Sequence, residues 1–211
     1  MPDSSGVVGV LLAGGQSRRM GGGDKALRIL GDRSLLAHAI DRAAPQVDRL
    51  VLNANGDPAR FADFDLPVVP DVIPGFAGPL AGVLTGMTWA VEHAPECAWI
   101  ATFACDAPFF PPDLVARMRK AVAAESAQMA CAASQGRTHP VFGLWPVALR
   151  GDLERAMREE GIRKVDAWTG RFRLSAVSFD LADTGRGPID PFFNTNHPQD
   201  LAEAERLLPG A

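Results

Sequence analysis

The stretch from Val7 to Lys25, VVGVLLAGGQSRRMGGGDK, constrains this chain more than any other. It opens as an uncharged run rich in Val and Leu, Val7 to Ala13, which reads as a buried parallel strand. The run breaks into Gly14-Gly15, a polar turn with Arg18 and Arg19, then Gly21-Gly22-Gly23 and Asp24-Lys25. Glycine lets backbone N–H groups approach a ligand and adopt positive φ without strain. Glycines, two arginines and a lysine just beyond an apolar strand form a plausible cradle for a polyphosphate. Two common phosphate loops do not fit. A P-loop closes on Gly-Lys-Ser/Thr, whereas Lys25 follows Asp24 and precedes Ala26; the spacing of G-x-G-x-x-G is also absent. The alternative is a glycine-rich surface loop with solvated charges. The preceding strand, paired arginines and terminal lysine favour a nucleotide site.

Leu12-Ala13-Gly14-Gly15, Arg19-Met20-Gly21 and Asp24-Lys25-Ala26-Leu27 together resemble the signature of nucleotidyltransferases with a Rossmann-like fold. Within these, the order is most similar to the molybdenum cofactor guanylyltransferases. Gly15, within Leu12-Ala13-Gly14-Gly15, resembles the GTP-using branch, whereas CTP-using relatives usually carry the sequence Leu-Ala-Ala-Gly there. The resemblance implies an α/β, three-layer fold with a mostly parallel sheet flanked by helices.

A chain of 211 residues is most simply one domain spanning 1–211, and its 47% hydrophobic and 22% charged content suits a globular protein. The net charge of -4 gives no sign of a nucleic-acid partner, which favours a basic face. It also means that an anionic substrate must be attracted by a local cluster or a metal. The three cysteines, Cys97, Cys105 and Cys131, lack CxxC spacing, so reduced buried thiols are expected. No basic n-region precedes an apolar core, and no run approaches the ~20 apolar residues of a membrane span. The expectation is a soluble, cytoplasmic protein without a membrane partner.

Ser34 is a candidate cap for a helix with an apolar stripe of Leu35, Leu36, Ala39, Ile40 and Ala43. The next strand, Arg49 onward, delivers Asn53 and Asn55 at its C-terminal end, where ligands bind in open α/β sheets. Both asparagines also suit the turn before Gly56-Asp57-Pro58. Leu66 to Asp71 reads as a short strand. Asp71 can accept from the N1–H and N2–H₂ of guanine, hold a ribose hydroxyl, or cap its loop. Gly78-Pro79-Leu80-Ala81-Gly82 then opens a helix, Leu80 to Val91, which tolerates Gly86 for close packing against the sheet.

Ala98 to Cys105 is almost unbroken apolar sequence and reads as the central strand. Asp106 follows directly, with Pro108 enforcing a turn. Its carboxylate would lie at the ligand edge, where Mg²⁺ on a triphosphate needs an oxygen. The alternative is a helix N-cap, for which Asp113 is better placed. Further strands are expected at Gln128–Ser134, Thr138–Trp145 and Arg173–Phe179, with helical pattern between Val147 and Trp168. His139 suits either a phosphate contact or a buried histidine bonded to backbone. Arg163-Lys164 suits either an anionic second substrate or a solvated helix start. Asn194-Thr195-Asn196 offers amide donors and acceptors to a pterin edge or phosphate, or builds the turn before a last helix, Gln199 to Leu208.

The matching blocks extend in order over nearly the whole chain: Asn53, Gly78-Pro79-Leu80, Asp106 with Pro108-Phe109, His139 to Gly143, and Phe193 to Asp200. His197 departs from the threonine frequent in the last block. The resemblance implies transfer of GMP from GTP to the terminal phosphate of molybdenum-loaded molybdopterin, with pyrophosphate released. It implies Arg19, Lys25 and Asp106 as catalytic, Asp106 as the Mg²⁺ ligand, and Asn194 and Asn196 toward the pterin. The nucleotide would meet Leu12, Ala13, Gly14, Gly15, Lys25, Asn53, Asp71, Gly78 and Asp106. Molybdenum-cofactor insertion proteins or apo-molybdoenzymes are the docking partners it implies. Alternatives are a CTP-dependent or sugar-phosphate nucleotidyltransferase on the same fold, or a non-catalytic nucleotide-binding adaptor.

Overall fold

The computed structural model describes residues 5–14, 24–75 and 78–208. In chain order the elements begin with β1 (Gly6–Leu12), β2 (Ile29–Leu30), β3 (Arg33–Ser34), α1 (Leu35–Ala43), β4 (Arg49–Asn53) and β5 (Val68–Val69). Then follow α2 (Pro79–His93), β6 (Cys97–Ala104), α3 (Leu114–Glu125), β7 (Met129–Ser134) and β8 (Arg137–Pro146). The chain continues through α4 (Arg150–Arg158), α5 (Val165–Thr169), β9 (Leu174–Ser178), β10 (Ala182–Asp183), β11 (Pro188–Ile189) and α6 (Pro198–Leu207).

A seven-stranded sheet runs in the order β5-β4-β1-β6-β8-β7-β9. β8 is antiparallel to both of its neighbours, and every other pairing is parallel. The strand expected to be central, β6, is the fourth of the seven. β1 explains the layering. Val7 and Leu11 enter one core with α1 and α3, while Val8 and Val10 enter a second with α2, α4 and α5. Alternate side chains of a strand point to opposite faces, so an all-apolar strand needs cover on both. The result is the expected three-layer α/β sandwich. A smaller apolar cluster around Leu30, Phe109 and Leu207 lies under the β2–β3 hairpin and α6.

Local sequence accounts for the boundaries. Ser34 caps α1 as expected, its Oγ accepting from Ala37 N at 3.1 Å. β5 is shorter than Leu66–Asp71, because Pro67 and Pro70 flank Val68-Val69 and proline has no N–H for the ladder. Asp113 occupies the N-cap position of α3 but makes no side-chain cap bond. That turn is closed by backbone instead, Leu114 N donating to Pro111 O and Arg117 N to Asp113 O. Among the described residues no helix is long and apolar enough to cross a membrane.

Candidate active site

The C-terminal ends of β1, β4 and β6 open onto a cleft of about 350 Å³. Backbone bonds stitch the three ends together: Ala13 N donates to Asn53 O at 3.0 Å, and Cys105 N to Leu12 O at 3.4 Å. Leu12, Ala13, Gly14, Lys25, Asn53, Asp71, Gly78, Asp106 and Asn194 all line this cleft. They come from widely separated parts of the chain. Gly15 and Arg19 lie outside the described residues.

One group of side chains surrounds Asp71. Asn53 is buried, and its Nδ2 donates to Val69 O at 3.2 Å and to Asp71 Oδ1 at 2.9 Å. Asn55 Nδ2 donates to Asp71 Oδ2 at 2.7 Å, and Asp71 N returns a bond to Asn55 Oδ1 at 2.9 Å. Each carboxylate oxygen keeps a second lone pair. Two such acceptors side by side match a ligand edge carrying adjacent N–H donors. Asn55 reads in sequence as a turn residue, and only its reciprocal pairing with Asp71 reveals the second role. Helix α2 closes this end. A Cβ on Gly82 would stand 2.4 Å from Leu12 Cδ2 and 2.6 Å from Asn53 Oδ1, so glycine lets the helix approach. Gly78, at φ 79°, turns the chain into α2.

A second group surrounds Asp106. Lys25 Nζ lies 2.5 Å from Asp106 Oδ2 and 2.6 Å from Asn196 Oδ1. The Asp106 carbonyl accepts from both Thr195 N, at 2.8 Å, and Thr195 Oγ1, at 3.1 Å. Segment 194–196 is thereby fixed against the end of β6. Phe192 anchors it from beneath, with its ring centroid 4.9 Å from Phe142 and 5.5 Å from Phe179. Asn194 Oδ1 is buried at the cleft wall without a hydrogen-bond partner, an acceptor left for a ligand donor. Asn196 does not line the cleft and reaches the site through Lys25.

Val141, also in the lining, depends on an irregularity. The register between β7 and β8 slips after Cys131, and Thr102 takes up the slack. Its Oγ1 donates to Val141 O at 2.8 Å and accepts from Gly143 N at 3.3 Å and Trp145 Nε1 at 2.9 Å. That uses the full capacity of a buried hydroxyl. Nothing in the sequence pattern announces this bulge.

The remaining candidates resolve differently. His139 Nε2 lies 2.7 Å from Ser134 Oγ, whose hydroxyl donates to the Asp190 carboxylate at 2.8 Å; the imidazole stacks on Phe192 at 4.7 Å and is absent from the cleft lining. Its contacts are a side-chain hydroxyl and a ring, not the backbone group that sequence suggests. Burial holds its imidazole below the usual range. Arg163 Nη1 donates to Met157 O at 2.6 Å and Ile162 O at 2.9 Å, so its guanidinium terminates α4. Lys164 starts α5. Cys105 lines the cleft, but burial and the neighbouring Asp106 push its thiol far above the usual range, which disfavours a thiolate nucleophile.

Among the described residues no three His, Cys, Asp or Glu side chains gather as a metal cluster. Asp106 provides one carboxylate at the cleft, in the cluster with Lys25, while Asp71 stands in the other cluster, tied to Asn53 and Asn55. That donor set fits Mg²⁺, which binds one or two carboxylates and takes its other ligands from phosphates and water.

Residues 9–174 match the family described as the MobA-like NTP transferase domain. A molybdenum cofactor guanylyltransferase of Bradyrhizobium sp. (strain ORS 278) is 56% identical over 95% of this chain and 92% of its own. That of Rhodopseudomonas palustris (strain HaA2) is 54% identical over 98% and 94%. The chain belongs to the molybdenum cofactor guanylyltransferase family. It is accordingly a nucleotidyltransferase, and the adaptor alternative falls away. The fold agrees. Molybdopterin-guanine dinucleotide biosynthesis protein A from Archaeoglobus fulgidus superposes with a TM-score of 0.71 at 22% identity, covering 95% of this chain and 97% of the other. Rv0371C of Mycobacterium tuberculosis, solved in complex with manganese, superposes with a TM-score of 0.64 at 20% identity, covering 98% and 100%.

Proposed function

We propose that this chain transfers GMP from GTP to the terminal phosphate of molybdenum-loaded molybdopterin and releases pyrophosphate. The observation that carries the reading is that Lys25 and Asp106 line the same cleft as Asn53 and Asp71, with Asn196 bonded to Lys25 in the first cluster and Asn55 to Asp71 in the second. One cluster suits a nucleoside edge and the other a polyphosphate meeting an acceptor. The names carried by relatives at 54% and 56% identity support the same substrates.

In this mechanism an oxygen of the acceptor phosphate bonds to the α-phosphorus of GTP. The bond from that phosphorus to the α,β-bridging oxygen breaks, and pyrophosphate leaves with its electron pair. No protein nucleophile takes part, in keeping with the burial that pushes the Cys105 thiol pKa up. The residues position and neutralise. Asn53 and Asn55 hold Asp71 toward the donors of the nucleoside. Lys25 turns from Asp106 to the phosphates, and Arg19 adds charge there. Asn194 and Asn196 orient the acceptor. Asp106 would hold Mg²⁺, which supplies charge neutralisation across the phosphates when bound. Three free, buried cysteines support a reducing, cytoplasmic setting. Molybdenum-cofactor insertion proteins or apo-molybdoenzymes would receive the product.

The test is pyrophosphate release with GTP or CTP as sole nucleotide, with and without Mg²⁺ and molybdenum-loaded molybdopterin. Release that requires GTP, metal and pterin together is expected. Release with CTP would overturn the base assignment, and release without the pterin would overturn the acceptor.

A further inference from the structure

Arg60 lies in the short helical turn Pro58–Phe64, outside the short motif blocks named in the sequence, and it does not line the cleft. Its guanidinium is nonetheless committed on several sides. Nε forms an ion pair with the Asp24 carboxylate, and Nη2 donates to the carbonyl of Asn55. The guanidinium Cζ sits over the Phe61 ring, 4.7 Å from the centroid. Gly56, at φ 89°, makes room for it, since a Cβ there would stand 2.7 Å from Arg60 Nη1. A planar fork suits such a task, because it can serve two acceptors in fixed directions where an ammonium acts as a point charge.

Asp24 meets this partner in place of the usual cap role. It occupies the N-cap position of the turn Lys25–Leu27, where aspartate normally accepts from the amides of its own helix. Its side chain makes no cap bond and turns to Arg60 instead. Its backbone carbonyl accepts from Leu27 N at 3.2 Å, so holding Asp24 sets where the turn begins, and Lys25 is the first residue of that turn. At the other end of the guanidinium stands Asn55, the residue that pairs reciprocally with Asp71.

We propose that Arg60 is a positioning residue for Lys25. It is a strut between Asn55 and Asp24 that fixes the lysine relative to the cluster holding the nucleoside. The inference rests on the proposed role of Lys25 on the triphosphate. Arg60 meets Asn55 through its backbone carbonyl, whereas Asp71 is held by the side-chain amides of Asn53 and Asn55. Loss of the strut therefore disturbs the phosphate end and spares the nucleoside end.

A double-mutant cycle tests this, with Arg60→Ala, Asp24→Ala and the pair. Three readouts are needed: kcat and KM for GTP, calorimetric affinities for GTP and for guanosine, and thermal unfolding. Each single variant is expected to lose about tenfold in kcat/KM, the scale of a small misplacement near reacting groups. Guanosine affinity stays within about twofold, the error of additivity. The double variant is expected to be no worse than the worse single, because both remove one strut. Additive losses, unchanged single variants, or equal loss of GTP and guanosine affinity with a lowered Tm would each overturn the proposal. If wild-type protein binds GTP but releases no pyrophosphate, the reaction is misassigned. The calorimetric cycle then still decides the strut.

Discussion

Asp71 accepts one amide on each carboxylate oxygen, from Asn53 and from Asn55, and returns its own N–H to Asn55. The carboxylate thus cannot swing, and its free lone pairs keep one direction. Replacing Asn55 by Ala removes one of these amides and leaves the Asp71 N–H unpaired. The expected result is a KM for GTP raised about fivefold to tenfold with kcat nearly unchanged, the pattern of lost ground-state binding. An unfolding free energy lower by about 1–2 kcal/mol should accompany it, measured by urea titration. Asn53 and Asp71 are legible in sequence because each stands at the C-terminal end of an expected strand, and Asn53 also belongs to a matching block. Asn55 is legible only as a turn former. Arg60 and Asp24 are not legible as partners at all, because nothing local announces that a surface arginine meets an aspartate 36 residues earlier.

Helix α2 carries two glycines one turn apart, and they do different jobs. Gly82 faces Leu12 and Asn53, whereas Gly86 faces Val10, whose Cγ2 would be 2.4 Å from an added Cβ. Alanine gains about 1 kcal/mol of helix propensity over glycine. Overpacking a tight core typically costs about 1–3 kcal/mol. Gly86→Ala should therefore lower Tm, and Val10→Ala in the same chain should restore part of the loss. Gly82→Ala should instead raise KM for GTP by displacing Asn53; equal effects of the two variants on both readouts would contradict this division. The close approach of Gly86 is readable from sequence, since a glycine in an apolar helix needs a packing reason. The antiparallel insertion of β8 is not. Its apolar pattern is the same for either strand direction, and the Thr102-pinned bulge depends on pairing with β6 and β7.

At the scale of the whole molecule, the acid side of the stability curve carries a signature of the β7–β8 end. Burial lowers the His139 pKa, with Arg137 acting in the same direction and Asp190 opposing. The folded state therefore binds this proton less readily than the unfolded chain, so stability rises with pH across that interval. The contribution is complete above the unfolded value of about 6.5 and is lost as pH falls below it toward the folded value. Unfolding free energy should decline from about pH 6.5 downward. His139→Gln should flatten that decline, and an unchanged slope would remove His139 as its source. The order of the sheet has a different consequence, for synthesis. β1 is made first, yet one of its edges pairs with β6, where Leu12 meets Ala104. Translation proceeds at about 5–20 residues per second, so that edge waits roughly 5–20 s on the ribosome for its partner. The strand on which the nucleotide cleft is built is thus an early aggregation hazard of the nascent chain, and a ribosome-bound chaperone has most to shield there.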